Sequence, residues 1–213
     1  MRRESFRDLV EIIVAYGFIL FVIWMPDSLQ RILSPFAFIL TFLIMAIGRP
    51  SRDELGLGTR GLVPSLWILP AAAALSFASV LMARKLGTLH PLYKGDLKHI
   101  TGYVLWTLYQ QILLNDLFAP RLMRLLGNES TVAVLIGVLF AAAHLPSPWL
   151  TLATLLWGVA SCLLFRRYHN VYALGLAQGL LGLTFAICLP DALHHHLRVG
   201  LGYLRYHAQP PHS

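Results

Sequence analysis

The chain has 213 residues, of which 57% are hydrophobic and only 13% charged, with a mean hydropathy of +0.64 and a net charge of +7. A water-soluble domain carries about twice that charged fraction, so a soluble enzyme or soluble binding module is excluded. No aromatic–basic stripe or nucleic-acid motif accompanies the positive charge. It reads as the bias of loops at an anionic membrane face, with the lipid bilayer as partner and no nucleic acid.

The apolar residues fall in blocks long enough to cross about 30 Å of hydrocarbon. In chain order, about seven spans are predicted: Leu9–Met25, Arg31–Gly48, Leu62–Ala83, Gly102–Phe118, Thr131–Leu145, Trp149–Phe165 and Val171–Leu189. The first is too long for a signal-peptide core, contains Glu11 and is followed by no small-x-small cleavage site after Pro26, so it is expected to stay as a helix. Arg2, Arg3 and Arg7 precede it and favour a cytoplasmic N-terminus. Over the whole chain the asymmetry of Lys and Arg between the two sides is small. The fold class is therefore all-α, a polytopic transmembrane bundle forming one domain over residues 1–213.

The two longest polar breaks are Arg49–Gly61 and Arg84–Thr101. The first holds Arg52, Asp53 and Glu54, which should sit in water. The second admits either a helix lying at the interface or a solvated loop. No internal repeat is visible, which argues against an inverted-repeat transporter.

The fourth span carries Gln110, Gln111, Asn115 and Asp116 where an apolar helix should have no polar group. Polar side chains at membrane depth are functional suspects by default. Gln111 and Asn115 are four apart and share a helix face, whereas Gln110 is rotated by about 100°. The alternative role is interhelical hydrogen bonding, worth about 0.6 kcal/mol per contact. In the fifth span Phe140-Ala-Ala-Ala-His144 is followed by Leu-Pro-Ser-Pro, so the helix should stop there and leave the imidazole near the membrane boundary. The seventh span adds Gln178 among small residues. Its Gly175-x-x-x-Gly179 allows close backbone approach, within the bundle or between copies. Cys162 and Cys188 lie in apolar helices and read as small core residues.

After Pro190 come His194-His195-His196, then His207 and His212. Residues 191–213 read as a His-rich polar tail in a mobile terminus, with Asp191 the one carboxylate nearby. No metal site is expected there, and no cofactor elsewhere.

The order of these features is similar to the CPBP family of intramembrane proteases, also called the CAAX-protease or Abi family. Its members carry Glu-Glu-x-x-x-Arg, then Phe-x-x-x-His, then a last motif of His-x-x-x-Asn or similar. The resemblance covers Trp106 to about Leu183, inside a motif-bearing core at about 102–190, and the Asp53-Glu54-Leu55-Gly56-Leu57-Gly58 linker also has the family's look. Phe140 and His144 match the second motif. Gln110 and Gln111 stand at the glutamate pair, Asn115 at the arginine, and Gln178 with Gly182 at the last His and its partner.

In that family a glutamate is understood to activate water while a histidine positions it or stabilises the oxyanion. Glutamine cannot take a proton at physiological pH. The resemblance thus implies catalytic positions at Gln110, Gln111, His144 and Gln178, supported by Asn115, Phe140 and Asp116, with the usual base absent. Asp116 and Glu11 are candidates to replace it. Arg121 either stands in for the motif arginine or, the more expected role, anchors its helix at the head groups. Three roles stay open: a divergent endopeptidase of membrane-associated peptides with His144 as base, a binder of a lipidic or peptide ligand, and a regulator of a membrane partner. The expected location is a bacterial cytoplasmic membrane.

Overall fold

The computed structural model describes residues 3–47, 51–93 and 95–206. Arg2, Arg49, Lys94, His207 and His212 lie outside the described residues. Among the described residues every regular element is helical, as the composition and block lengths require.

Each predicted span is helical over most of its described residues. Helices α1 (Arg3–Ile23) and α2 (Asp27–Ile47) form an N-terminal hairpin; α3 (Leu62–Ser65) and α4 (Ile68–Leu86) together supply the third block. The fourth block is longer than read: α5 (Leu97–Ile112) runs through a π turn over 113–118 into α6 (Ala119–Leu126). Helices α7 (Glu129–Ala142), α8 (Pro148–Tyr168) and α9 (Val171–Cys188) complete the bundle. Asp27–Ile47, Leu62–Leu86, Pro148–Tyr168 and Val171–Cys188 are long and apolar enough to cross a membrane. Arg52, Asp53 and Glu54 are exposed, as expected. The second polar break is a loop rather than an interfacial helix, and Asp96 caps α5 by accepting from the His99 amide at 3.1 Å.

The π turn has a local cause. Pro120 has no N–H, and its ring would press on the carbonyl four residues back in an α-helix. The helix widens there, and the Ala119 amide donates to the Leu114 carbonyl five residues back.

Glycine sets the helix spacing at the centre. A Cβ on Gly158 would lie 2.8 Å from the Cα of Gly137, so α7 and α8 cross backbone against backbone. A Cβ on Gly175 would lie 2.9 Å from the Cα of Leu108, and Thr107 donates to the Gly175 carbonyl at 2.9 Å. The small-residue face of α9 is thus used inside the bundle, against α5. This contact brings Gln178 beside Gln110 and Gln111.

Two ion pairs fasten α1 to α6. Arg124 grips the buried Asp8 carboxylate with two hydrogen bonds of 2.8 and 2.7 Å. Arg121 is itself buried, donates to Glu11 at 2.6 Å and reaches the carbonyls of Leu117 and Ile44. The head-group anchor expected for Arg121 is therefore replaced by an interior clamp.

The segment after Pro190 is not a free tail up to Tyr206. Short helices α10 (Asp191–His194) and α11 (Gly200–Leu204) flank a turn in which His195, His196 and Leu197 all have left-handed backbone, with φ of 48°, 54° and 59°. Such a conformation costs a non-glycine residue about 1–2 kcal/mol. The segment is held by the Gly200 amide on the Leu145 carbonyl at 2.7 Å and by the buried His194.

Candidate functional site

The four amides form one hydrogen-bonded chain across α5, the π turn and α9. Asn115 donates to Gln111 at 2.9 Å, Gln111 donates to Gln178 at 2.5 Å, and Gln178 donates to Gln110 at 2.6 Å. The indole of Trp157 on α8 also donates to Gln178, at 3.1 Å. Trp157 is a participant that the sequence did not single out, since α8 is apolar and carries a second tryptophan, Trp149, with nothing to set the two apart.

The chain has an inner and an outer end. Gln111 and Asn115 are fully buried and line neither central cavity. Their shared helix face turns towards protein rather than towards a pocket. Gln110, rotated off that face, is the amide that reaches open space. It borders a cavity of about 360 Å³ between α1, α2, α5 and α7, and a second of about 480 Å³ between α4, α5, α8 and α9. Gln178 faces the second.

His144 stands where the two cavities meet and lines both, together with Gln110, Trp106, Phe140 and Leu197. Helix α7 ends at Ala142, two residues earlier, as the following prolines predict. The Nδ1–H of His144 donates to the Phe140 carbonyl at 2.7 Å, and the imidazole meets the Phe140 ring edge-on with centroids 4.8 Å apart. This fixes the tautomer: Nε2 carries a lone pair. Among the described residues His144 makes no hydrogen bond to the amides. Phe140 therefore supports the histidine twice, through its carbonyl and its ring.

Neither replacement carboxylate reaches the site. Glu11 is held by Arg121 at 2.6 Å and Arg7 at 3.4 Å. Asp116 sits on the π turn, buried, with neither carboxyl oxygen hydrogen-bonded, and borders neither cavity. Cys162 and Cys188 are free and buried, matching their reading as core residues.

Both cavities are walled mainly by apolar side chains, and three large apolar residues of the second, Leu75, Trp106 and Leu156, are also exposed. Volumes of this order are typical of small-molecule pockets.

Fold and site together define an integral-membrane helical protein with a polar cluster buried between its helices. Residues 98–184 match the family model for type II CAAX prenyl endopeptidase Rce1-like proteins, and this segment is Rce1-like, in agreement with the CPBP resemblance of the motif order. The match runs from the start of α5 into α9 and contains all the amides and His144. No curated protein and no solved structure is detectably similar to the chain.

Proposed function

We propose that this CAAX-protease-like membrane protein binds a lipidated membrane peptide, or a lipid of like shape, in its paired cavities without cleaving it. The apolar walls take the hydrocarbon chain, and Gln110 with Gln178 offers an amide and carbonyl to the polar part of the ligand. One observation carries the reading: the positions that resemble the catalytic glutamates are amides, each already hydrogen-bonded to Gln178, while both nearby carboxylates are turned elsewhere. Hydrolysis needs a group that can take a proton from water in the site, and amides cannot.

A binding experiment tests it. The full-length protein in nanodiscs is titrated with a farnesylated peptide carrying a fluorescent reporter. Saturable binding, weakened several-fold in Gln110→Leu and with the peptide recovered intact, is expected. No binding, or a cleaved peptide, contradicts the reading.

The lone pair on His144 Nε2 favours one rival. In that account His144 takes the proton from water and Gln110 polarises the scissile carbonyl, giving a divergent endopeptidase. His144→Ala then abolishes cleavage in a protein that remains folded.

A further inference from the structure

A second cluster of chemistry-bearing residues lies away from the amides, where the loop after α4 meets the end of α9. The backbone docks first: the His90 amide donates to the Ile187 carbonyl at 3.0 Å and the Thr88 hydroxyl to the Cys188 carbonyl at 2.8 Å. Ring nitrogens of His90 and His194 and a carboxylate oxygen of Asp191 then lie within 4.8 Å of one another. His194 is buried, and His90 and Asp191 are half-buried.

The hydrogen bonding at His90 is unusual. Its Nδ1 faces the Pro91 carbonyl at 3.0 Å and its Nε2 faces the Leu189 carbonyl at 2.7 Å. A neutral imidazole has one N–H, so one nitrogen directs a lone pair at an oxygen. Leu189 also receives Nε2 of His194 at 2.9 Å, and that nitrogen is 3.5 Å from Asp191 Oδ1. Two imidazoles, a carboxylate and a carbonyl thus converge around one point, and the lone pair that His90 directs at an oxygen is what a positive centre relieves; Asp191 Oδ1 also meets Nδ1 of His196 at 3.0 Å, a contact that metal ligation shares or replaces.

We propose that His90, His194 and Asp191 bind a divalent transition metal of the zinc class. Two imidazoles and one carboxylate form a ligand set that Zn²⁺ takes readily, whereas Mg²⁺ and Ca²⁺ favour oxygen alone. The Leu189 carbonyl or a water completes the four. Ligands of a tetrahedral zinc are about 3.4 Å apart, so binding closes the widest separation, up to 4.8 Å, and moves the Leu189 carbonyl, now 2.7 and 2.9 Å from the two ring nitrogens, outward. The Pro91 carbonyl holds the Nδ1 proton of His90, as an outer partner does for a ligating histidine. Ligation through Nε2 of His194 moves that ring's proton to Nδ1 and releases the Leu197 amide, which donates to Nδ1 at 3.2 Å.

The position gives the metal a consequence. Asp191 and His194 open the segment that carries Leu197 and Val199 onto the cavities, through the left-handed turn at 195–197. The metal would clasp this segment to the loop after α4 and so close the cavities on that side, whichever ligand they hold.

The test uses metal-stripped, tag-free full-length protein titrated with ZnCl₂ by calorimetry at pH 7.5. One equivalent is expected to bind in the micromolar range or tighter, with at least a tenfold loss in His90→Gln and in Asp191→Asn. Both positions are half-buried, and unchanged helical circular dichroism shows that the variants fold. His207→Gln/His212→Gln should bind like wild type. Zinc should also slow proteolysis within 190–206 in wild type and not in His90→Gln. No zinc binding overturns the proposal and leaves a protonated His90 as the relief. Binding lost in the His207/His212 variant but kept in His90→Gln overturns it as well.

Discussion

Arg121 and Glu11 meet at 2.6 Å between α6 and α1, both largely shielded from solvent, and Arg121 spends its other donors on the carbonyls of Leu117 and Ile44. The pair accounts for a charge on each of two apolar helices. It also takes Glu11 out of contention as a catalytic base.

Removing one partner should be much worse than removing both. Arg121→Ala leaves the Glu11 carboxylate inside without its buried partner, with Arg7 and Arg124 the remaining cations nearby, and should destabilise the protein by about 3–5 kcal/mol. Glu11→Leu/Arg121→Met removes both charges and should recover most of that loss. Thermal unfolding of the detergent-solubilised protein measures both. Equal destabilisation by the single and double variants would contradict the interior clamp.

Gln178 is the hub of the amide chain. Gln178→Leu takes away the acceptor of Gln111 and of the Trp157 indole, and should destabilise by about 1–3 kcal/mol, the range for buried donors left unpaired. The emission maximum of Trp157 should shift to the blue in a variant retaining Trp157 as its single tryptophan. An unmoved maximum would mean that the indole does not donate to Gln178.

The approach of α9 to α5 leaves no room at Gly175. Gly175→Ala places a methyl 2.9 Å from the Cα of Leu108, which is backbone and cannot swing aside. A loss of about 1–3 kcal/mol is expected. Gly179→Ala meets side-chain atoms of Thr107 and Val104 at 3.3 Å and should be milder. The ranking of the two by thermal unfolding is the check; the reverse order would place the tightest contact elsewhere.

His144 faces cavity rather than core, so its loss should be felt by ligand more than by fold. His144→Ala gives up one bond to the Phe140 carbonyl and one edge-on ring contact, and about 1 kcal/mol or less is expected. Ligand affinity should change several-fold while the melting temperature moves little. A large fall in melting temperature with unchanged affinity would assign His144 to packing.

Much of this was legible in the residues. Block length and apolarity announced the helices, the prolines after His144 marked the end of α7, and the order of amides, Phe140 and His144 agrees with the Rce1-like match. Rotation on an ideal helix went only part of the way. It separated Gln110 from the face shared by Gln111 and Asn115 without saying which of them meets a cavity, and Gln110 is the one that does. Which side of a helix meets a void depends on where its neighbours leave space, and that is a property of packing. Arg121 misled for a similar reason, because its partner lies on α1, far away in sequence. The histidines after Pro190 looked like a solvated tail because their partners, His90 and the Leu189 carbonyl, become neighbours only when the loop after α4 folds onto the end of α9.

The cavities beside the amides are proposed to hold a ligand without hydrolysing it. The most direct measurement incubates purified wild type with a photoactivatable farnesylated peptide in nanodiscs and reads crosslink site and peptide mass together. Crosslinks on cavity residues such as Tyr109 or Leu139, with every peptide intact, are the predicted result. A cleaved peptide in wild type that stays intact with His144→Ala would contradict it.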